Sequence, residues 1–207
     1  MIVIATFNPG KARELKRLVE AAGYEAGRLQ DAGLRTPYDE CFETYEANGS
    51  GKARHYAALA GRVAVADDSG LEVKALGGAP GPFSARYGGP GLDDAGRCRK
   101  LLEALRDVPD QDRGARYVAV VAIARPDGET RSFRGECEGL IGREPKGERG
   151  FGYDPIFFYP AFGATFAEVP EERKHEVSHR GRAFAALAAF LVTGEGRRFV
   201  EGAGAKR

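Results

Sequence analysis

Two adjacent carboxylates, Asp67 and Asp68, follow the apolar run Val63-Ala64-Val65 and precede Ser69-Gly70. Acids side by side at the end of a buried strand repel each other unless a cation or a proton shares the site. The stretch reads as a metal or water site. Its setting, a polar turn with a glycine at the carboxyl end of a short strand, is where open α/β sheets hold ligands. A second stretch with chemical potential lies upstream, where Thr6-Phe7-Asn8-Pro9-Gly10-Lys11 joins an apolar strand to an amphipathic segment. Such a loop aims free backbone N–H groups and the positive end of a helix dipole at an anion, while Lys11 adds a full charge. Thr6 and Asn8 add side-chain donors. The spacing is not that of a Walker A loop, and by itself the stretch also reads as an ordinary strand-to-helix turn with Lys11 in water.

Further along, Gly150-Phe151-Gly152-Tyr153-Asp154 sets two aromatics and an acid among glycines. Phe151 is sterically open on both sides, which suits either a ring stacked on a flat ligand or one plugging a turn. Ser178 is a natural N-cap and places His179 and Arg180 in a first helical turn, against the dipole's preference for anions there. Reading electron-rich oxygens is one reason for that placement, and simple exposure is the other. Asn48 and Lys52 are four apart and share a face if helix persists there, with solvation the default expectation for such a face. The poorly periodic residues 27–45 and the start of the next segment carry Asp31, Asp39, Glu40, Glu43 and Glu46, any of which is available to complete a cation site.

The elements that must hold these groups follow from periodicity. Ile2-Val3-Ile4-Ala5 reads as a buried strand, followed by a helix with Leu15, Leu18, Val19 and Ala22 on one face. Residues 45–60 read as helical at their far end, but Gly49 and Gly51 each cost ~1 kcal/mol against alanine and predict a weak or distorted start. Residues 76–82 are rich in Gly and Pro and predict a loop. Asp93 opens a helix carrying Cys98, Leu101, Leu102 and Leu105. Residues 116–124 form the strongest strand signal; Pro126-Asp127-Gly128-Glu129 turns it into a second strand over 130–137, and Leu140-Ile141 reads as one more short strand. A last helix built on Phe184, Leu187, Ala188 and Leu191 should stop near Gly194, with a frayed tail over 202–207.

A chain of 207 residues can bury a full core and needs no disulfide or metal staple. Its formal charge of +1 supplies no long-range attraction to nucleic acid, so a nucleic-acid partner is not expected. Cys41, Cys98 and Cys137 are odd in number and widely spaced, which predicts buried structural thiols in a reducing, cytoplasmic setting. No stretch is long and apolar enough to predict a membrane span or a secretory leader. Neither a repeat nor a linker is visible, so residues 1–207 are expected to form one domain of two lobes.

Taken in order, five stretches, Thr6-Phe7-Asn8-Pro9-Gly10-Lys11, Ala66-Asp67-Asp68-Ser69-Gly70-Leu71, Gly77-Gly78-Ala79-Pro80-Gly81 with Ser84-Ala85-Arg86-Tyr87, Gly150-Phe151-Gly152-Tyr153-Asp154-Pro155-Ile156-Phe157 and Ser178-His179-Arg180, closely resemble the non-canonical purine nucleoside triphosphate pyrophosphatases, the inosine/xanthosine triphosphatase family. The resemblance implies an elongated, two-lobed α/β fold with a long central mixed sheet flanked by helices, a nucleotide cleft between the lobes, and a homodimer. It implies Mg²⁺-dependent cleavage of dITP, ITP or XTP to the monophosphate and pyrophosphate. By position, Thr6, Phe7, Asn8, Pro9, Gly10, Lys11 and Lys52 would hold the triphosphate, and Asp68 would be general base or metal ligand, with Glu40 and Asp67 as further metal ligands. Ser69 would contact the nucleotide. Phe151 would stack on the base within the loop Phe151-Gly152-Tyr153-Asp154, while Lys174, His179 and Arg180 would read it from the other side.

The chain departs from the family twice. Ala47 stands where a glutamate is usual, with Gly49 and Gly51 in the same helix, and Arg97 replaces an asparagine. Donors aimed at a purine 6-oxo group would exclude adenine, but guanine shares that group, so its rejection must come from pocket shape. The rival readings are a purine-nucleotide sensor without turnover and cleavage of other modified or pyrimidine triphosphates.

Overall fold

A computed structural model of the chain describes residues 1–202; of the tail expected to fray, residues 203–207 lie outside the described residues. The strands are β1 (Ile2–Ile4), β2 (Ala26–Arg28), β3 (Ala64–Val73), β4 (Pro80–Gly81), β5 (Gly114–Ala124), β6 (Thr130–Ile141), β7 (Phe157–Tyr159) and β8 (Ala164–Thr165). They form one mixed sheet in the order β2-β1-β3-β5-β6-β7-β8, with β4 paired to β3. β1 runs parallel to β2 and β3, whereas β6, β7 and β8 are successively antiparallel. The flanking helices are α1 (Pro9–Ala21), α2 (Tyr45–Ala60), α3 (Asp94–Ala104), α4 (Glu171–Val177), α5 (His179–Leu191) and α6 (Gly194–Glu201). None of the described helices is long and apolar enough to cross a membrane.

The residues gather into two compact units. One comprises 1–68, 119–134 and the chain from 183 on, the other 69–118 and 135–182. In the first unit the pleat sends alternate residues to opposite faces of the sheet. Ile2, Ile4, Val65, Val121 and Ile123 pack with Leu15 and Val19 of α1 and with Phe184, Leu187 and Leu191 of α5. On the opposite face lie Val3, Ala5, Ala64, Ala66, Ala122 and Ala124, against Ala53, Tyr56 and Ala57 of α2. That second face is almost all alanine, so α2 comes close to the strands. In the second unit Leu71, Val73, Tyr117, Cys137 and Ile141 pack with Cys98, Leu101 and Leu105 of α3 and with Phe157 and Phe166.

Several expectations change here. The acidic stretch is no turn: β3 runs straight through Asp67, Asp68 and Gly70 for ten residues, nearly all buried. Helix α2 is regular from its first turn, with Thr44 Oγ1 accepting from Ala47 N at 3.2 Å as the N-cap. Its glycines answer to neighbours rather than to distortion. A Cβ on Gly49 would lie 3.2 Å from the Val120 carbonyl oxygen, and one on Gly51 would collide with the Tyr38 hydroxyl. Leu140 and Ile141 end β6 instead of forming a strand of their own, β4 pairs inside the predicted loop, and a sixth helix starts where α5 was expected to stop. Cys98 and Cys137 are buried, and burial pushes both thiols up to about 11, but Cys41 is exposed.

Candidate functional site

The acid centre belongs wholly to the first unit. Because successive strand residues face opposite ways, Asp67 and Asp68 are not side by side as the sequence suggested. Asp67 is fully buried, and its Oδ2 lies 2.7 Å from Lys11 Nζ. The Asp68 Cβ is on the α2 side, where a Cβ at Gly49 would come within 3.7 Å of it. The Asp68 carboxyl is raised to about 6, first by burial and then by the charge of Glu40; Lys11 and Lys52 oppose this, and Asp67 raises it less than Glu40 does. The repelling partner is therefore Glu40, more than the sequence neighbour.

Lys52 joins these acids. Its Nζ donates to the Asp67 carbonyl oxygen at 2.7 Å and ion-pairs with Glu40. Both Lys52 and Asn48 are buried, against the expected solvated face. Their partners explain this: Asn48 is covered by the Phe42 backbone it bonds, and Lys52 lies between Glu40 and the Asp67 carbonyl. The upstream loop is a strand-to-helix junction as expected. Asn8 Oδ1 accepts from Lys11 N at 3.1 Å and caps α1, Asn8 N donates to Thr6 Oγ1 at 3.2 Å, and Pro9 opens the helix. With Asn8 committed to capping, the anion-binding capacity of the loop rests on backbone N–H groups and Lys11. Phe7 is part-exposed and meets Tyr56 edge-on at 6.4 Å.

A second group of predicted residues assembles in the other unit. Phe151 stands between Gly150 and Gly152, both at positive φ (75° and 63°), a conformation that glycine adopts without strain. Its ring is 38% exposed, with Lys174 Nζ 5.1 Å and Arg180 Cζ 5.0 Å from the centroid. The plugged-turn alternative does not describe such a ring. Asp154 is buried and gathers the others: its Oδ2 accepts from Phe151 N at 3.0 Å and pairs with Lys174 Nζ at 2.5 Å, while Oδ1 accepts from Tyr117 hydroxyl at 3.4 Å.

His179 and Arg180 are buried rather than exposed. Ser178 Oγ accepts from Gly181 N at 3.1 Å, the expected cap, and Arg180 Nη2 donates to Ser69 Oγ at 3.0 Å. The His179 ring stacks on Tyr117, centroids 4.5 Å apart and planes 9° from parallel. Tyr153 turns inward and donates to the Ser84 carbonyl at 2.8 Å, and Gly152 N donates to Asp94 Oδ2 at 2.7 Å. Tyr117 and Asn48 escaped sequence reasoning as site residues. For Tyr117 the only signal was a hydroxylated ring inside a Val/Ala run; for Asn48 it was the four-residue spacing to Lys52.

Among the described residues, no three of His, Cys, Asp and Glu are arranged to hold a metal unaided. The donor set nonetheless suits a hard cation. Mg²⁺ characteristically takes one or two carboxylates and completes its shell with water and substrate phosphates, and Asp68 beside Glu40 offers that type of oxygen. The arrangement unites charges able to grip polyphosphate with a carboxylate of raised proton affinity, and separately places cations around a half-open ring.

The chain is similar to known proteins along most of its length. The profile of the Ham1 family matches residues 2–190. A dITP/XTP pyrophosphatase of Thermus thermophilus is 48% identical over 186 residues, covering 90% of this chain and 89% of that protein. A HAM1 protein structure from Coxiella burnetii superimposes with a TM-score of 0.86 at 39% identity, covering 92% of this chain and 97% of the other. The structure of a nucleoside-triphosphatase, dITP/XTP pyrophosphatase, from Mycobacterium abscessus gives 0.76 at 44% identity, over 90% and 97%. With the profile spanning nearly the whole chain and relatives this similar along their full length, the chain belongs to the Ham1 family.

Proposed function

We propose that this chain hydrolyses dITP, ITP and XTP to the nucleoside monophosphate and pyrophosphate, clearing non-canonical purines from the nucleotide pool. The observation that carries the reading is the acid centre: Asp68, raised to about 6 by burial and by Glu40, beside the buried Lys52 and the half-buried Lys11. A carboxylate poised near neutrality suits deprotonation of an attacking water. Lys11, Lys52 and the loop Thr6-Phe7-Asn8-Pro9-Gly10 take the triphosphate, the lysines exchanging carboxylate oxygens for phosphate oxygens. Asp68 and Glu40 are the residues that would hold Mg²⁺, which when bound neutralises charge on the phosphates. Asp67 anchors Lys11.

The base goes to the second group. Phe151 stacks on it, Lys174, His179 and Arg180 read its oxygens, and Ser69 contacts the nucleotide through its link to Arg180. Gly152 leaves the ring accessible, Asp154 fixes the ring's backbone and Lys174, and Tyr153 holds the loop to the core. A 6-oxo purine satisfies these donors, whereas the 6-amino group of adenine leaves them facing another donor. The family resemblance extends the reading to a cytoplasmic homodimer, which sedimentation of the purified chain checks. The deciding experiment incubates the protein with Mg²⁺ and a panel of dITP, XTP, dGTP, dATP and dCTP. Pyrophosphate released chiefly from dITP and XTP is expected; orthophosphate alone, or a preference for dCTP, overturns the proposal.

A further inference from the structure

We infer that Asn48 is a positioning residue that straps residues 34–42 along α2 and so delivers Glu40 to the acid centre. The inference rests on the role proposed above for Glu40. Residues 34–42 form neither helix nor strand, so their backbone polar groups need partners from elsewhere. Three side chains of α2, each one turn beyond the last, meet this segment. Asn48 takes both backbone groups of Phe42, with Oδ1 accepting from Phe42 N and Nδ2 donating to Phe42 O, each at 3.0 Å. Lys52 ion-pairs with Glu40. The Tyr56 hydroxyl donates to the Thr36 carbonyl at 2.8 Å.

Residues at i, i+4 and i+8 share one helix face. Their partners descend from 42 to 40 to 36, so the segment lies antiparallel to the helix like a strap laced at three points. Gly51 belongs to the same device, since a Cβ there would collide with the Tyr38 hydroxyl. Asn48 is fully buried, and its planar amide pairs with one residue's N–H and C=O as a neighbouring strand would. Aspartate lacks the donor and serine lacks the reach. The middle fastening is ionic and must loosen when Lys52 turns toward a phosphate. The Asn48 fastening carries no charge and stays closed, so Glu40 keeps its place while its lysine partner leaves.

Hydrogen exchange and kinetics test this together, using the full chain and the variants N48A, Y56F, E40Q and N48A/E40Q. In N48A, exchange in peptides covering 34–44 should rise about tenfold or more while β1 and β5 keep the parent's protection, the mark of local rather than global opening. Y56F should show a smaller rise confined to the start of the segment. With dITP as substrate, the Mg²⁺ concentration for half-maximal rate should rise several-fold in N48A, with the dITP:dGTP rate ratio unchanged. Because Asn48 acts through Glu40, N48A/E40Q should be no worse than E40Q alone. Unchanged exchange over 34–44 in both N48A and Y56F, or additive losses in the double variant, overturns the inference. An impaired E40Q beside an unimpaired N48A also overturns it while leaving the Glu40 assignment standing. An E40Q that matches the parent overturns the Glu40 assignment, and the strap's purpose with it.

Discussion

The acid centre around Asp68 and the aromatic group around Phe151 are built by opposite means. In the first, the buried Asp67, Asp68 and Lys52 meet the half-buried Lys11 and Glu40, opposite charges neutralise one another, and the Asp68 carboxyl is left in an uncomfortable environment. In the second, a single buried acid, Asp154, is spent on holding other residues still, and the surface offered to a ligand is a hydrocarbon ring bordered by cations. One region stores electrostatic discomfort that a substrate or a cation relieves; the other stores shape. Loss of a group should accordingly damage rate in the first region and selection in the second.

The sharpest way to break this contrast is Asp68→Asn, which should reduce dITP turnover by about 10²–10⁴-fold, the range for loss of a positioned base, measured as pyrophosphate release. The same variant should be more stable than the parent. The folded carboxyl titrates at about 6 against an ordinary 3.8, so the folded protein binds the extra proton and stability falls as pH rises between those values. Removing the charge recovers up to about 3 kcal/mol at pH 7, an upper bound for this shift. A melting temperature that rises at pH 7 but not at pH 4 would sharpen the case, and one lowered at both would break it. Next in size, Phe151→Ala should lower kcat/KM by about 10–100-fold, as stacking on a base is worth about 1–3 kcal/mol; the loss should fall on KM more than on kcat. In the metal-free protein Asp68 takes up its proton as pH falls through about 6, so for the parent enzyme the Mg²⁺ concentration for half-maximal rate should rise as pH is lowered below that value. A Mg²⁺ requirement unchanged down to pH 5 would remove Asp68 from the cation site. The smallest effects are expected in α2. Gly49→Ala presses on the fixed Val120 carbonyl and should cost about 1–2 kcal/mol in chemical denaturation. Gly51→Ala meets only a movable tyrosine tip and should come out near neutral, its helix-propensity gain of about 1 kcal/mol offsetting the displacement.

Much of this molecule was legible in its sequence because its motifs are local. The strand-loop-helix at Lys11, the hairpin of β5 and β6, the cap at Ser178 and the glycine-flanked Phe151 are each formed by residues contiguous in the chain. What escaped was set by distant contacts. Asp67, Asp68 and Gly70 break every strand pattern, and only pairing with neighbouring strands shows that β3 passes through them. Gly49 and Gly51 weaken a helix by propensity; the Val120 carbonyl that crowds Gly49 lies far along the chain, and the Tyr38 hydroxyl that meets Gly51 belongs to an unpatterned stretch. Glu40, one of several acids in an unpatterned stretch, gained its importance from a lysine twelve residues later.

The two faces of the first unit's sheet also differ in how much alteration they can bear. The side against α1 and α5 is filled with branched and aromatic residues, and repacking there leaves Asp68 and Lys52 where they are. The alanine side against α2 sets the reach of Lys52 to the Asp67 carbonyl by its thinness. Replacing one of those alanines with valine, an ordinary stabilising substitution elsewhere, would lift α2 and carry the lysine off its acids. A chain selected for heat resistance has only one of its two faces free to thicken.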